Sequence, residues 1–594
     1  MNPLLLWRTV RHLRWEQIVY RPVRAAQFRL YRAFPRLTAQ WIVAGSDAPA
    51  VSNDRLAAIR RVCTNSLAHL NAPLEELEPR LLDLGEGRFR FVNRTKQIPR
   101  MDWNRRYENH LWNYHLHYFD FAVWCARALA ERDDQWSWAT CRRLIESWIE
   151  QARIGRSDGW DPYPISLHTV NWIYAYVLVS DVARDRAFLD RWRASLHRQL
   201  AFLDRHLEFQ HLANHLLKNV KALVIGGLFF NQDAWLQKGE QLLWRELDEQ
   251  VLADGGHFER SPMYHAQALA DFLECYALLR AFDRLPQIEA IEAKLRAMAR
   301  FLAAMRYPDG RLAQFNDSAN SKENDVALLL ESAARIVGRE PASTTQAFPE
   351  TGYYVWSATD ESEKIVVDAG PPSVEYNAAH VHCDLLSYEL WLSGRPFIIN
   401  SGVHGYGGDQ FREYARSTRA HNTVMFDGVE QSEVWGTHRM ARRARLLTAD
   451  WRTEGGEVRF RGSYRRYDGA LIHERRIRRN AGGDWFVTDC VRGGPVTRAI
   501  SFIHLHPEVE AQIVNERQIL CRIGSWDVMI APISETGPRT ELVKGGESPI
   551  QGWYFPDFGV AQPSVTIVFD FHCETGASFG YKIANHVSLP ILSA

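Results

Sequence analysis

The sequence places two imidazoles and a carboxylate at alternate positions in the segment His380-Val-His382-Cys-Asp384. These residues open the strand-like run Leu385–Leu392, and alternate side chains of a β-strand project from one face. His380, His382 and Asp384 are therefore predicted to point in the same direction. Such a cluster is costly to bury unless it binds a metal ion, a proton or an anionic ligand.

A second polar cluster, Arg419-Ala-His421-Asn422-Thr423, stands at the start of a later strand-like run. His380, His382 and His421 would offer imidazoles from two strands, and imidazole is the commonest zinc ligand. Three protein ligands would leave one coordination position open for water or substrate. Histidines that only form structural hydrogen bonds are the alternative interpretation of this set.

Two segments in the first half of the chain carry further candidates. Asn214-His215 begins the helical run Leu216–Phe230, where an amide and an imidazole could hold a carboxylate and stabilise the charge that builds when its α-proton leaves. The alternative is an N-cap asparagine beside a surface histidine.

The segment 255–265 reads Gly-Gly-His-Phe-Glu-Arg-Ser-Pro-Met-Tyr-His. Pro262 suits the first position of a helix, which puts Tyr264 and His265 in the first turn. A tyrosine, with an ordinary pKa of about 10, is a poor base unless cationic neighbours lower that pKa. The alternative is a capping loop with a packed tyrosine.

Aromatic residues are abundant, with 21 Trp, 21 Tyr and 28 Phe among 594 residues. Flat rings can stack on the apolar faces of sugars, although packing in the core is the more common role of such side chains. Two aromatic and polar patches in the early helices are candidates for a sugar cleft, and they comprise Trp103, Trp112, Tyr114, His117, Tyr118, Trp160, Tyr163, His168, Asn171 and Trp172.

Composition and sequence give no sign of a nucleic-acid-binding, disulfide-rich, secreted or membrane-spanning protein. Lys plus Arg and Asp plus Glu balance at 71 each, so net charge gives no reason to expect a nucleic-acid partner. The eight cysteines are scattered without a Cys-x-x-Cys pair, which is typical of buried thiols in a reducing compartment. Neither a secretory signal nor a membrane-spanning run is evident. We therefore expect a cytoplasmic protein or one peripheral to the inner membrane, with export to the periplasm left open.

The N-terminal segment from Arg8 to Arg36 is strongly basic, with eight arginines against the single acid Glu16. Its arginines are interleaved with Trp, Tyr and Phe, a pattern that predicts peripheral association with an anionic membrane or a polysaccharide-assembly apparatus. The alternative is that the arginine stems lie along the main domain.

The hydrophobic spacing divides the chain into helical and strand-rich parts. Apolar residues recur at helical spacing from about residue 107 to 340, including one continuous run over 107–131, and short breaks favour antiparallel hairpins. Short β-branched and aromatic runs after about residue 350 predict an antiparallel sandwich. We predict an N-terminal basic helical segment over 1–84, an (α/α) toroid over 85–345 and a β-sandwich over 346–594, with Pro341, Ala342 and Ser343 in the linker.

These motifs together resemble the heparinase II/III-like polysaccharide lyases. The resemblance covers most of residues 85–500 and is strongest at Asn214-His215, at Glu259–His265, and from His380 through Thr423. The segments Leu111–Tyr118 and 162–172 further resemble a subgroup of bacterial proteins associated with surface polysaccharide production. The family pairs an N-terminal (α/α) toroid with a C-terminal antiparallel β-sandwich.

The resemblance implies β-elimination at a uronic acid. Asn214 and His215 would hold the uronate carboxylate, Tyr264 would protonate the leaving oxygen and remove the C5 proton, and His380 would be the second acid–base or charge-neutralising group. The substrate-binding residues would be Trp112, His117, Tyr118, Tyr163, His168, Asn171, Trp172, Glu259, Arg260, Arg416 and Arg419.

The resemblance also implies a zinc site and no organic cofactor. His382 and His421 match zinc ligands of metal-containing relatives, and Asn400 stands where those relatives have an aspartate. A neutral amide is a weaker ligand than a carboxylate, so this exchange argues against tight zinc binding.

The main hypothesis is a lyase that cleaves an acidic, uronate-containing polysaccharide in bacterial exopolysaccharide, capsule or O-antigen metabolism. One alternative is a glycoside hydrolase on the same toroid, which would need two facing carboxylates from candidates such as Asp254, Glu259 and Asp317. The other is a non-catalytic glycan-binding protein of a polysaccharide assembly apparatus.

Overall fold

The computed structural model describes residues 3–35, 48–321, 325–340, 343–535 and 537–585. Arg36 of the basic segment and Pro341 and Ala342 of the predicted linker lie outside these ranges.

Helices dominate the chain up to Val337. Their bounds are α1 Pro3–Val10, α2 Trp15–Ala33, α3 Asn53–Asn65, α4 Leu74–Gly85, α5 His110–Tyr118, α6 Asp120–Arg132, α7 Gln135–Gln151, α8 Pro162–Val179, α9 Arg186–Asp204, α10 Ala213–Phe230, α11 Asp233–Gln250, α12 Pro262–Ala281, α13 Ile288–Met305 and α14 Val326–Val337, with α15 Gln410–Arg416 in the second half.

The helices form two layers of a toroid. Helices α6, α8, α10, α12 and α14 contact one another in succession, while α7, α9, α11 and α13 each pack against an inner helix. The inner helices α8, α10 and α12 are buried on nearly every side, which explains their apolar sequences. The predicted continuous helix over 107–131 is two helices, because Phe119 adopts a left-handed conformation with φ 59° between them.

Strands dominate the second half. Their bounds are β1 Arg88–Phe91, β2 Arg94–Gln97, β3 Thr345–Phe348, β4 Tyr353–Ser357, β5 Lys364–Asp368, β6 Tyr388–Leu392, β7 Arg395–Ile398, β8 Val424–Phe426, β9 Val434–Trp435, β10 Arg439–Met440, β11 Arg445–Glu454, β12 Glu457–Arg465, β13 Ile472–Arg479, β14 Trp485–Arg492, β15 Arg498–His504, β16 Glu510–Asn515, β17 Gln518–Ile523, β18 Trp526–Ile533, β19 Arg539–Lys544, β20 Gly546–Glu547, β21 Ile550–Gln551, β22 Trp553–Tyr554, β23 Gln562–Pro563, β24 Val565–His572 and β25 Ser578–Asn585.

Three antiparallel sheets make up the body of this half. Their strand orders are β3-β4-β5-β6-β7, β11-β12-β13-β14-β25-β18-β17-β16 and β19-β24-β15-β8. Apolar side chains from all three sheets share one core, which includes Val367, Ile503 and Tyr581. The predicted fold class, a helical toroid followed by an antiparallel β-sandwich, is confirmed.

One local prediction is wrong. The segment from His380 to Asp384 is a loop, and strand β6 begins only at Tyr388. Leu386 has a φ of 62°, a left-handed conformation that interrupts extended backbone. His380 and His382 therefore do not share a strand face, and another interaction must bring them together.

The basic helices α1 and α2 dock on the body of the protein. Arg8 pairs with Glu433 at 3.2 Å, and Arg32 donates to the Gly155 carbonyl at 2.9 Å. Within the described ranges, no helix is both long enough and apolar enough to cross a bilayer.

Candidate functional site

A cavity of about 2170 Å³ lies between the toroid and the sandwich layer, with α1 and α2 along one wall. Four predicted catalytic residues line it, namely Asn214, His215, Tyr264 and His380. The first three come from helix N-termini of the toroid and the fourth comes from the loop before β6.

Tyr264 and His380 lie against each other although they belong to different layers. Their ring centroids are 4.0 Å apart with planes inclined by 35°. Tyr264 occupies the first turn of α12, where its backbone N–H donates to Ser261 Oγ at 3.3 Å. The predicted helix start at Pro262 is confirmed, and it delivers the phenol to the sandwich side of the cavity.

The Tyr264 hydroxyl has a second phenol as its neighbour. Its Oη lies 2.8 Å from Tyr406 Oη. Burial raises the pKa of Tyr264 well above its ordinary value, so this phenol is protonated and suited to donate a proton. Tyr406 is not among the predicted site residues, although a tyrosine within the glycine-rich run 402–408 is a recognisable signal of a loop side chain near a ligand.

Asp317 brings the two histidines of the loop together. Its carboxylate accepts from His380 Nδ1 at 2.9 Å, from His382 Nε2 at 2.8 Å and from Arg412 Nη2 at 2.9 Å. Burial alone would raise the pKa of Asp317, but Arg412 and the two imidazoles hold it well below its usual range. An ionised carboxylate can only accept hydrogen bonds, so His380 carries its proton on Nδ1 and Nε2 is the nitrogen left for the cavity.

Asn214 and His215 begin helix α10 after a strained turn. Leu212 and Ala213 have φ values of 61° and 48°, a left-handed conformation that costs non-glycine residues free energy and often occurs at functional sites. His215 Nδ1 lies 3.1 Å from Glu208 Oε1. The first-turn N–H groups of a helix have no partner within the helix, so this helix end and the two side chains are suited to hold a carboxylate.

A group of possible metal ligands lies behind His380. His382, Asp384 and His421 each offer one ligand atom, and these atoms lie within 4.8 Å of one another. His382 Nδ1 and His421 Nε2 are buried and have no hydrogen-bond partner. Burial lowers the pKa of His382 to about 4 and that of His421 well below its usual value, so both rings keep a free lone pair. The donor set fits a small divalent cation.

Asn400 has a different place from the one predicted. Its Oδ1 accepts from His421 Nδ1 at 2.6 Å, so Asn400 orients the His421 ring and its amide oxygen is engaged by that imidazole. Asp384 supplies the carboxylate of the group. The prediction of Asn400 as a ligand is corrected for this reason.

The seven residues of the early helices that were predicted to bind substrate divide into two sets. Tyr118, Tyr163 and Asn171 line the cavity. The other four members are buried in the helical core and do not line the cavity, so their prediction as sugar contacts is wrong; they are Trp112, His117, His168 and Trp172. His117, His168 and Trp172 pack against Trp148 of α7, and the Trp112 ring lies 5.2 Å from Phe91 of β1.

The four predicted charged contacts are also absent from the cavity lining. Glu259 accepts from Asn377 at 2.7 Å, Arg260 donates to the Thr351 carbonyl at 2.9 Å, and Arg416 donates to the Val381 carbonyl at 3.2 Å. The prediction that these three side chains and Arg419 contact substrate is therefore wrong, because none of the four lines the cavity. Cations that do line the cavity include Arg21, Arg94, Lys218, Arg439 and Arg443.

The carboxylates named for a hydrolase do not line the cavity either. Asp254 is held by Thr351, whose Oγ1 donates at 2.6 Å, and Asp317 is committed to His380, His382 and Arg412. These side chains offer no facing pair of the kind that hydrolysis of a glycosidic bond requires.

Comparison with known proteins finds matches to both halves of the chain. Residues 84–342 match the heparinase II/III N-terminus, and residues 340–582 match the heparinase II/III-like C-terminal model. The heparin-sulfate lyase of Pedobacter heparinus is 28% identical over 298 residues, which is 45% of this chain and 44% of the relative. That of Bacteroides stercoris is 27% identical over 254 residues, 37% of each chain. The chain thus spans less than half the length of these curated relatives.

A crystal structure of heparinase III superimposes on 94% of this chain and 90% of its own, with a TM-score of 0.70 and 17% identity. At this identity the likeness concerns the fold, including the pairing of a toroid with a sandwich.

Proposed function

The chain belongs to the heparinase II/III family, and from this premise we propose that it is a polysaccharide lyase acting on an acidic, uronate-containing polysaccharide by β-elimination. The observation that carries the proposal is the 4.0 Å approach of the Tyr264 and His380 rings from separate layers within one cavity.

The first step is removal of the proton at C5, next to the uronate carboxylate. Asn214, His215 and the N–H groups of α10 hold that carboxylate and stabilise the charge that develops on it, an effect that contributes several kcal/mol in comparable sites. His380 Nε2 accepts the proton, and Asp317 stabilises the resulting imidazolium, since its carboxylate holds His380 Nδ1 at 2.9 Å.

The second step breaks the bond between C4 and the glycosidic oxygen. The electron pair from C5 forms the C4–C5 double bond, and the leaving oxygen takes a proton from the Tyr264 hydroxyl. The raised pKa of Tyr264 keeps that proton available. The cycle closes when the His380 imidazolium releases the C5 proton to solvent and the Tyr264 phenolate takes up a proton from solvent, with Tyr406 Oη, 2.8 Å away, as its hydrogen-bond partner.

His382, Asp384 and His421 are proposed to hold a zinc ion. Such an ion would supply positive charge and rigidity behind the loop that carries His380. Asp317 and Asn400 orient the two imidazoles through His382 Nε2 and His421 Nδ1. Metal analysis of the purified protein tests this assignment, and a zinc content far below one per chain contradicts it.

The setting is proposed to be bacterial exopolysaccharide, capsule or O-antigen metabolism. Support comes from the segments Leu111–Tyr118 and 162–172, which resemble proteins of that kind. Three side chains from these segments, Tyr118, Tyr163 and Asn171, reach the cavity.

Incubation with a panel of acidic glycans tests the reaction. We expect products that absorb in the ultraviolet and whose masses sum to that of the substrate, because elimination adds no water. Tyr264→Phe should lower the rate about 10²–10⁴-fold, and Tyr467→Phe, outside the cavity lining, is the matched control. Products that all carry an added water contradict elimination, and a Tyr264→Phe protein that keeps full function in the producing cell indicates glycan binding without catalysis.

A further inference from the structure

Helices α1 and α2 present an unusual distribution of side chains. The buried residues of α2 are polar or amphipathic, namely Gln17, Arg24 and Tyr31. Arg24 reaches the Leu207 carbonyl at 3.2 Å. The opposite face of the same helix is apolar and exposed to solvent.

The exposed apolar face is continuous. Trp15, Ile18, Val19, Val23 and Leu30 are all exposed, and their three-, four- and seven-residue spacings place them along one side of α2. Leu4 and Trp7 of α1 and Phe34 after α2 are exposed as well. Among the described residues, half of the exposed large hydrophobic side chains lie between Leu4 and Phe34. A concentration of this kind marks an interaction surface.

The charge of the segment favours an anionic bilayer over a second copy of the chain as the partner. Residues 3–35 contain seven arginines and one acid, Glu16, and Arg11 and Arg29 are exposed. A second copy of the chain docked face to face through this surface would bring the same arginines together, which is unfavourable. An anionic lipid bilayer accepts both features, since apolar side chains enter the acyl boundary and arginines meet the headgroups.

We propose that α1 and α2 bind the surface of a bilayer containing anionic lipids, with Trp7, Trp15 and Leu30 inserted and Arg11 and Arg29 at the headgroups. The inward face of the same helices, including Gln17, Arg21 and Arg24, lines the catalytic cavity. A helix with its side chains is about 10–12 Å across. Membrane binding therefore places the cavity about one helix diameter from the lipid surface.

Flotation of the full chain with vesicles tests the proposal. We expect it to float with mixed phosphatidylcholine–phosphatidylglycerol vesicles, to float less at high salt because charge attraction is screened, and to remain in solution with phosphatidylcholine alone. Trp15→Ser combined with Leu30→Ser should lower binding by about tenfold or more, since two large apolar anchors are lost.

The matched control is Trp526→Ser combined with Leu82→Ser, which removes the same residue types at exposed positions elsewhere. The side-chain exposures are 66% and 55% for Trp15 and Leu30, and 42% and 57% for Trp526 and Leu82. This control should float like the unmodified chain. Arg11→Glu with Arg29→Glu should also lower binding to the anionic vesicles, and this variant leaves the apolar face intact should the first one misfold.

Absence of flotation by the unmodified chain overturns the proposal, as does equal loss of binding in both serine variants. Light scattering adds a further criterion. A dimer that dissociates in the Trp15→Ser and Leu30→Ser variant, without vesicle binding, assigns the surface to a second copy and contradicts a membrane role. None of these outcomes depends on lyase activity.

Discussion

Two buried clusters, one where the toroid meets the sandwich and one within the sandwich, are built from the same three kinds of side chain. In the cavity cluster, Asp317 holds His380, His382 and Arg412. In the sandwich cluster, Asp489 accepts from His473 at 2.7 Å and from Arg475 at 2.7 Å. Both carboxylates are fully buried and both have depressed pKa values, because arginine and histidine outweigh the opposing effect of burial.

The two clusters differ in whether a ligand in the cavity can reach them. His380 retains 12% side-chain exposure and lines the cavity, whereas His473, Arg475 and Asp489 are completely buried. Arg475 also donates to the Leu386 carbonyl at 2.9 Å, so the sandwich cluster ties strand β13 to the loop before β6. An aspartate, an imidazole and a guanidinium can thus hold sheets together or serve the proposed catalysis, and an open path to a ligand distinguishes the two clusters.

Replacing the histidine of each cluster should give the largest difference between the two clusters, in kcat for one and in melting temperature for the other. His380→Gln is expected to lower kcat about 10²–10⁴-fold, since an acid–base group is lost, with a small change in melting temperature. His473→Gln should lower the melting temperature and leave kcat per folded molecule unchanged. Product absorbance and thermal unfolding provide the two measurements. Similar losses of kcat in both variants would remove the distinction between the clusters.

Replacing the aspartates should give the next largest effect. Asp489→Asn is expected to reduce the free energy of unfolding by about 3–5 kcal/mol, because it leaves a buried guanidinium without its partner. Asp317→Asn should destabilise the fold through Arg412 in the same way and also lower kcat, since His380 loses its orienting partner.

The informative readout for Asp317→Asn is kcat at saturating substrate. A merely structural Asp317 would reduce the folded fraction and leave kcat per folded molecule intact. That result, measured after correction for the folded population, would show that His380 needs no positioning by Asp317.

The sequence anticipates the features that depend on local chemistry. The Ser-Pro pair predicts where α12 begins, so Tyr264 is found in its first turn. Apolar spacing separates the toroid from the sandwich, because the periods of helices and strands differ. The cysteines, expected to be buried thiols, are free, and all but the half-buried Cys490 are buried.

The contacts that local sequence patterns could not predict are long-range. Asp317 meets His380 across 63 positions, and Arg412 meets Asp317 across 95, so no local pattern links them. Asp384 was predicted to share a strand face with the histidines, whereas it is a candidate ligand from a loop. Trp112 and Trp172 were misassigned because an aromatic residue has the same helical spacing in a core as beside a cleft.

The pH dependence of stability through Asp489 should be a smaller effect than those of the substitutions. Asp489 has a pKa lowered to about 2 in the folded protein and an ordinary value of about 3.9 when unfolded. Its stabilising contribution is therefore fully present above the unfolded value and is lost as the pH falls towards about 2. Denaturant unfolding of the unmodified chain and of Asp489→Asn should show their stability difference shrinking by about 1 kcal/mol between about pH 5 and about pH 3. A constant difference over that range would mean that Asp489 gains no charge stabilisation from Arg475 and His473, and the likeness between the two clusters would then be one of geometry alone.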